Sequence, residues 1–228
     1  HRDLHSFPTR RSSDLKTLRE KILLFSDQEW MNTFQASQSI VEKTKREYQT
    51  FQQQFLAIQS YTGPQFQALD YASLNEDAQH YVNKHIYIMS GLYGLVRPLD
   101  TIGMYRLPMG VNLPHGSLVQ EWKARLTEQL MKETLVIALA SKEYLDALDL
   151  HDLNAVVIAF ESKSGKTIPS YELKQLRGRF ARHMAISQVK TLSQIKALEV
   201  GDYRFDKALS KPNMLVFKER EESSYENH

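Results

Sequence analysis

The sequence predicts a mixed α/β chain of the α+β kind. Three observations predict it. Apolar residues recur every three or four positions in several stretches, with capping residues ahead of them. Three apolar runs, Leu135–Ala140, Ala155–Phe160 and Leu215–Lys218, have the length of strands. Between residues 90 and 117, closely spaced glycines and prolines interrupt both patterns and predict a long irregular connection.

The elements follow in order. His1–Leu15 (HRDLHSFPTRRSSDL) has no amphipathic period and no initiating methionine. Arg10 and Arg11 are followed by no apolar region, so they make no export signal. The string resembles translated sequencing-adapter sequence and is expected to be foreign to the fold and without regular structure. The domain is expected over residues 16–218, with a polar tail over 219–228.

From Lys16 to about Ile58 the text is helical. Leu18, Ile22 and Phe25 share a face, and Trp30, Phe34, Ile40, Val41, Tyr48, Phe51 and Phe55 continue the period. Ser26 and Glu29 have the spacing of a capping box that opens the second helix. Tyr61-Thr62-Gly63-Pro64 is a break, and a helix is predicted from about Asn75 to Met89. Ser90-Gly91-Leu92-Tyr93-Gly94 and Arg97-Pro98 then predict a tight connection in which at least one of the two glycines takes a positive φ or lies too close to a neighbour for a Cβ.

Helices are further predicted from Ser117 to Glu133, from Lys142, from a cap at Ser170 to about Gln188, and over Thr191–Leu198. Ser162–Gly165 reads as a turn, with Ile168 closing a hairpin on the second strand.

Composition excludes several classes. The chain has 228 residues, a formal charge of +2 and no cysteine. Disulfides, thiolate nucleophiles and cysteine-ligated zinc are therefore excluded, and a reducing compartment fits. No apolar run reaches membrane-spanning length. The histidines lack metal-ligand spacing, since His80 and His85 are five apart and His151 and His183 are isolated. No metal and no cofactor is expected. Ser164-Gly165-Lys166-Thr167 imitates a phosphate-binding loop, but the glycine required five residues before Gly165 is Phe160. Ser141 near Lys142 and Ser170 near Lys174 are explained by helix capping rather than by nucleophilic chemistry.

Charge distribution says more than net charge. Lys163, Lys166, Lys174, Arg177, Arg179, Arg182 and Lys190 fall in one segment whose only acid is Glu172. This points to an anion site, with a solvated helix face as the other reading. Leu173, Leu176, Phe180 and Met184 gather on one arc of the helix. Lys174, Gly178 and Arg182 line another, which sets the two cations about 12 Å apart. A mid-helix glycine costs about 1 kcal/mol relative to alanine. Gly178 therefore implies a close approach, by phosphate or by a packed element.

At Ser90–Gly94 and Arg97-Pro98-Leu99-Asp100 the chain resembles the YaaA peroxide-stress family. The similarity continues through Tyr105-Arg106-Leu107, Met109-Gly110, Trp122, Leu139-Ala140-Ser141 and Glu143-Tyr144. It resumes at Ser170, Lys174, Arg177-Gly178 and Arg182, and closes with Gly201-Asp202-Tyr203, Ser210 and Val216-Phe217-Lys218.

The resemblance implies a cytoplasmic bacterial protein that limits oxidative damage and free iron under hydrogen peroxide. It also implies a helix-hairpin-helix element, a basic cleft, and DNA as a partner without strong sequence preference. Gly91–Gly94 is the candidate hairpin. Lys174, Arg177, Gly178, Arg182, Gly91, Gly94, Arg97 and Arg106 are the candidate phosphate contacts. The family's opening apolar strand, which ends in a Ser-Pro-Ala-Lys motif, has no counterpart here. Pro108 stands where the family often has an acid, and Glu121 where it has an aromatic. An enzyme acting on a phosphorylated small molecule is the alternative function.

Overall fold

A computed structural model describes residues 18–50, 52 and 54–220. The expectation for His1–Leu15 lies outside the described residues, as does most of the tail. Helix α1 is described over residues 18–23, followed by α2 (Asp27–Phe34) and α3 (Gln38–Gln49). The capping box forms as its spacing predicts: Glu29 N donates to Ser26 Oγ, and Ser26 N donates to Glu29 Oε2 at 2.7 Å. Trp30, Phe34 and Tyr48 bury their rings together, with Trp30 stacked on Phe34 at 4.9 Å between centroids. Arg19 donates to Tyr48 O and so covers carbonyls that the end of α3 leaves free.

The helical pattern does not run on to Ile58. Phe55–Leu56 is a short strand, β1, and α4 (Ala57–Ser60), α5 (Pro64–Leu69), a single 3₁₀ turn (Tyr71–Ser73) and α6 (Glu76–His85) follow. Helix α6 stops four residues before the predicted Met89. Ile86, Tyr87 and Ile88 are β-branched or aromatic, which favours extended backbone. Ile88–Ser90 accordingly forms β2, paired antiparallel with β3 (Gly94–Val96). Strand β4 (Thr101–Ile102) pairs with β1. Strands β5 (Asn112–Leu113) and β6 (Gly116–Ser117) pair with each other ahead of α7 (Leu118–Leu130).

The remaining strands build one mixed sheet: β7 (Val136–Ala138), β8 (Ala155–Glu161), β9 (Glu199–Val200), β10 (Tyr203–Lys211) and β11 (Met214–Glu219). Their order is β7-β8-β11-β10-β9. The β7–β8 and β8–β11 pairs are parallel, and the other two are antiparallel. Ile168 closes no hairpin on β8, because β7 and β11 already occupy both edges of that strand. Between the sheet strands lie α8 (Lys142–Leu145), α9 (Ser170–Ile186) and α10 (Leu192–Lys196). Helix α9 starts at Ser170 itself, with Pro169 at the cap position, so Ser170 is not the cap.

Two apolar clusters meet at α9. Leu176 and Phe180 face the sheet, where Phe180 meets Phe217 edge-on at 4.8 Å. Ala181 and Ala185 belong to the larger cluster formed by α1–α7. A helix buried on two sides keeps little surface for solvent, and that surface carries its charge.

Candidate functional site

Each predicted contact residue has a definite place. Lys174 and Arg179 on α9, and Lys163 and Lys166 in the turn before it, have exposed side chains that make no ion pair or side-chain hydrogen bond among the described residues. Arg182 is engaged: its Nη1 donates to Leu69 O and Asp70 O, each at 2.9 Å, and lies 3.7 Å from Asp70 Oδ2. It therefore caps the C-terminal end of α5.

Arg97 is engaged as well. It donates to Lys84 O at 2.9 Å, lies over the Tyr87 ring at 3.5 Å and pairs with Glu133 at 3.8 Å. Arg106 is exposed; its carbonyl accepts from Tyr48 Oη at 3.4 Å. Arg177 is half-buried, and its Nε has no hydrogen-bond partner among the described residues. Burial holds its guanidinium below the usual arginine range.

The three glycines are positions of close approach. A Cβ on Gly178 would lie 2.9 Å from Ala68 Cβ and from the Gln65 carbonyl carbon, and closer still to Gln65 O. The close approach predicted there is thus made by α5. A Cβ on Gly91 would lie 3.1 Å from the Leu107 carbonyl carbon and closer to its oxygen. Gly94 takes φ +75° against the Trp122 ring.

Gly91–Gly94 joins two strands, not two helices, so the helix-hairpin-helix placement made from the sequence is corrected here. The amides of this turn are also occupied. Leu92 N and Tyr93 N donate to Ser90 Oγ at 3.2 and 2.8 Å, and Gly91 O accepts from Trp122 Nε1 at 2.7 Å.

A groove of about 740 Å³ opens where α7 meets α8. Its charged lining is mixed, with Lys123 and Lys142 against Glu143, Asp146 and Asp149. Lys142 is paired with Asp146 at 2.7 Å, and Glu143 accepts from Gly110 N at 2.9 Å. This groove is not the expected basic cleft.

Ser90, Tyr105 and Tyr144 lie in stretches that carry the family resemblance, but the sequence did not show that they meet in one cluster with Tyr61. Ser90 Oγ lies 2.5 Å from Tyr105 Oη, which lies 2.8 Å from Tyr61 Oη. Burial raises Tyr105 well above the usual tyrosine range, raises Tyr61, and pushes Tyr144 beside them up to about 12. All three phenols therefore keep their protons at neutral pH. They come from positions 61, 105 and 144, and no spacing rule connects these.

Comparison with known proteins agrees with the resemblance. The family model described as peroxide stress protein YaaA matches residues 4–209. A UPF0246 protein of Marinomonas sp. (strain MWYL1) is 35% identical over 172 residues, covering 71% of this chain and 66% of its own length. A UPF0246 protein of Colwellia psychrerythraea is 34% identical over 72% of this chain and 69% of its own. One from Flavobacterium psychrophilum is 36% identical over 71% and 68%. This chain thus spans about two thirds of these relatives' length. With both the family model and these relatives in agreement, the chain belongs to the YaaA peroxide stress protein family.

Proposed function

We propose that this chain serves a cytoplasmic response to hydrogen peroxide, limiting oxidative damage and free iron, and that it does so as a DNA-binding protein. It contacts backbone phosphate and does not read base sequence. The observation that carries this is the group of exposed cations in the turn before α9 and along the helix, Lys163, Lys166, Lys174 and Arg179, whose side chains make no ion pair among the described residues. Glu172 is the only acid from residue 162 to 190.

Cations already paired to carboxylates release no counterion when DNA arrives; uncommitted ones do. Phosphate contacts fix position without carrying sequence information. Arg97 and Arg182, tied to backbone carbonyls and acids, are left out of this surface. The test is fluorescence anisotropy with two duplexes of unrelated sequence. We expect similar affinity for both and steep weakening with salt. Absence of binding at low salt, or a preference between the two beyond about a hundredfold, contradicts the proposal.

A further inference from the structure

Helix α9 presents an aromatic ring beside its exposed cations. Tyr171, in the first turn, is 58% exposed, and its ring stacks on no other ring among the described residues. The other aromatic residues of this half are used in packing: Phe160, Phe180, Tyr203, Phe205 and Phe217 meet ring against ring beneath the helix.

Helical spacing decides what surrounds the Tyr171 ring, because residues three and four apart are neighbours. Lys174 is three residues on. Gln175 is four on, and its Nε2 donates to Tyr171 Oη at 3.4 Å. One further step of four reaches Arg179, about 12 Å along the axis from Tyr171. Lys174 and Arg179 are exposed and make no ion pair among the described residues. Lys163 and Lys166 add charge in the turn before the helix, and Glu172 is the one acid from residue 162 to 190.

Cations and ring meet different parts of a nucleic acid. The cations engage backbone phosphates whether or not the bases are paired. A ring stacks on a base only where the base leaves a face open, and in a duplex those faces already lie against their neighbours. Tyrosine also loses little conformational freedom when covered, having two side-chain torsions. A basic surface that holds out an unstacked ring therefore fits a single strand, with a base on the ring and phosphates on the cations. Such stacking tolerates any base, which agrees with binding that reads no sequence.

We propose that Tyr171 stacks on an unpaired base, so that the α9 surface takes single-stranded DNA, with Lys174 and Arg179 on phosphates of the same strand. The proposal rests on the DNA-binding reading and adds to it the form of DNA that this surface suits.

The test is fluorescence anisotropy of the full chain with three labelled DNAs: a thymidine oligonucleotide, an abasic oligonucleotide of equal length, and the duplex of the first with its complement. The parent chain should hold the thymidine strand more tightly than the abasic one. Tyr171→Ala should weaken the thymidine strand by roughly five- to a hundredfold and leave the abasic strand and the duplex unchanged. Tyr171→Phe keeps the ring and should keep most of the affinity. Lys174→Ala/Arg179→Ala should weaken all three. The proposal is overturned if the parent binds the thymidine and abasic strands equally, a comparison that needs no variant to fold. It is also overturned if Tyr171→Ala weakens the duplex as much as the thymidine strand, if it weakens neither, or if Tyr171→Phe loses as much as Tyr171→Ala. In each of these cases duplex binding by the parent still upholds the phosphate-contact reading. If the parent binds none of the three at low salt, both readings fall.

Discussion

Gly178→Ala sets two physical rules against each other. Helix propensity alone predicts a gain of about 1 kcal/mol, since alanine replaces glycine well inside α9. The packing predicts the opposite. The new methyl carbon would lie 2.9 Å from both Ala68 Cβ and the Gln65 carbonyl carbon. Carbon atoms rest at roughly 3.5–4.0 Å, so α5 must retreat by about 1 Å. Backbone forms one side of this contact and cannot rotate away. Overpacking of this kind costs about 1–3 kcal/mol.

The packing term is the larger, and the net effect is destabilising by up to about 2 kcal/mol. For a chain of this size each kcal/mol moves the melting temperature by about 2–4 °C. Thermal unfolding followed by circular dichroism should show a decrease of several degrees. A melting temperature unchanged or raised would mean that α5 does not rest on α9, and the assignment of Gly178 to helix packing would be wrong.

Other perturbations test neighbouring parts of the structure. Arg182→Met keeps the aliphatic stem and removes two hydrogen bonds to the end of α5; the partly exposed site should lose about 1–2 kcal/mol, read from the urea midpoint. No change there would refute the capping role. Burial holds His85 and His183 below the usual histidine range; Lys84 and Arg97 push His85 the same way, and Arg182 does so for His183. The unfolded chain then binds more protons near pH 6 than the folded one, so stability rises with pH in that window. This contribution is complete above the unfolded histidine value and is lost as pH falls through it toward the folded values. Urea midpoints should drop from about pH 7.5 to about pH 5.5, and less steeply in His85→Gln/His183→Gln. An equal drop in that variant would exclude the histidines as the cause.

The sequence carried local structure further than it carried contacts. The Ser26–Glu29 capping box, the start of α8 after Ser141 and the strands β7, β8 and β11 all follow from patterns of a few residues. Strand β10 went unread, although Tyr203 and Phe205 alternate with polar neighbours behind the Gly201-Asp202 turn. Charge and helical spacing placed Lys174, Arg177 and Arg182 on one helix. They could not show that Arg182 reaches back to Leu69 and Asp70, more than a hundred residues earlier in the chain. Gly178 announced a close approach but not its partner. The Ser90–Tyr105–Tyr61 chain depends wholly on how distant loops come together, and no periodicity marks it.

The central claim is that uncommitted cations in the turn before α9 and along the helix bind DNA phosphate. The most direct test is the salt dependence of duplex affinity for the parent chain, Lys174→Ala/Arg179→Ala and Arg182→Met. Each neutralised phosphate contributes about one unit to the slope of log K against log salt. The double variant should lower that slope by roughly two units and weaken two unrelated duplexes equally. Arg182→Met should leave the slope where it is, because that guanidinium is held at the end of α5. A slope unchanged in Lys174→Ala/Arg179→Ala would contradict the claim.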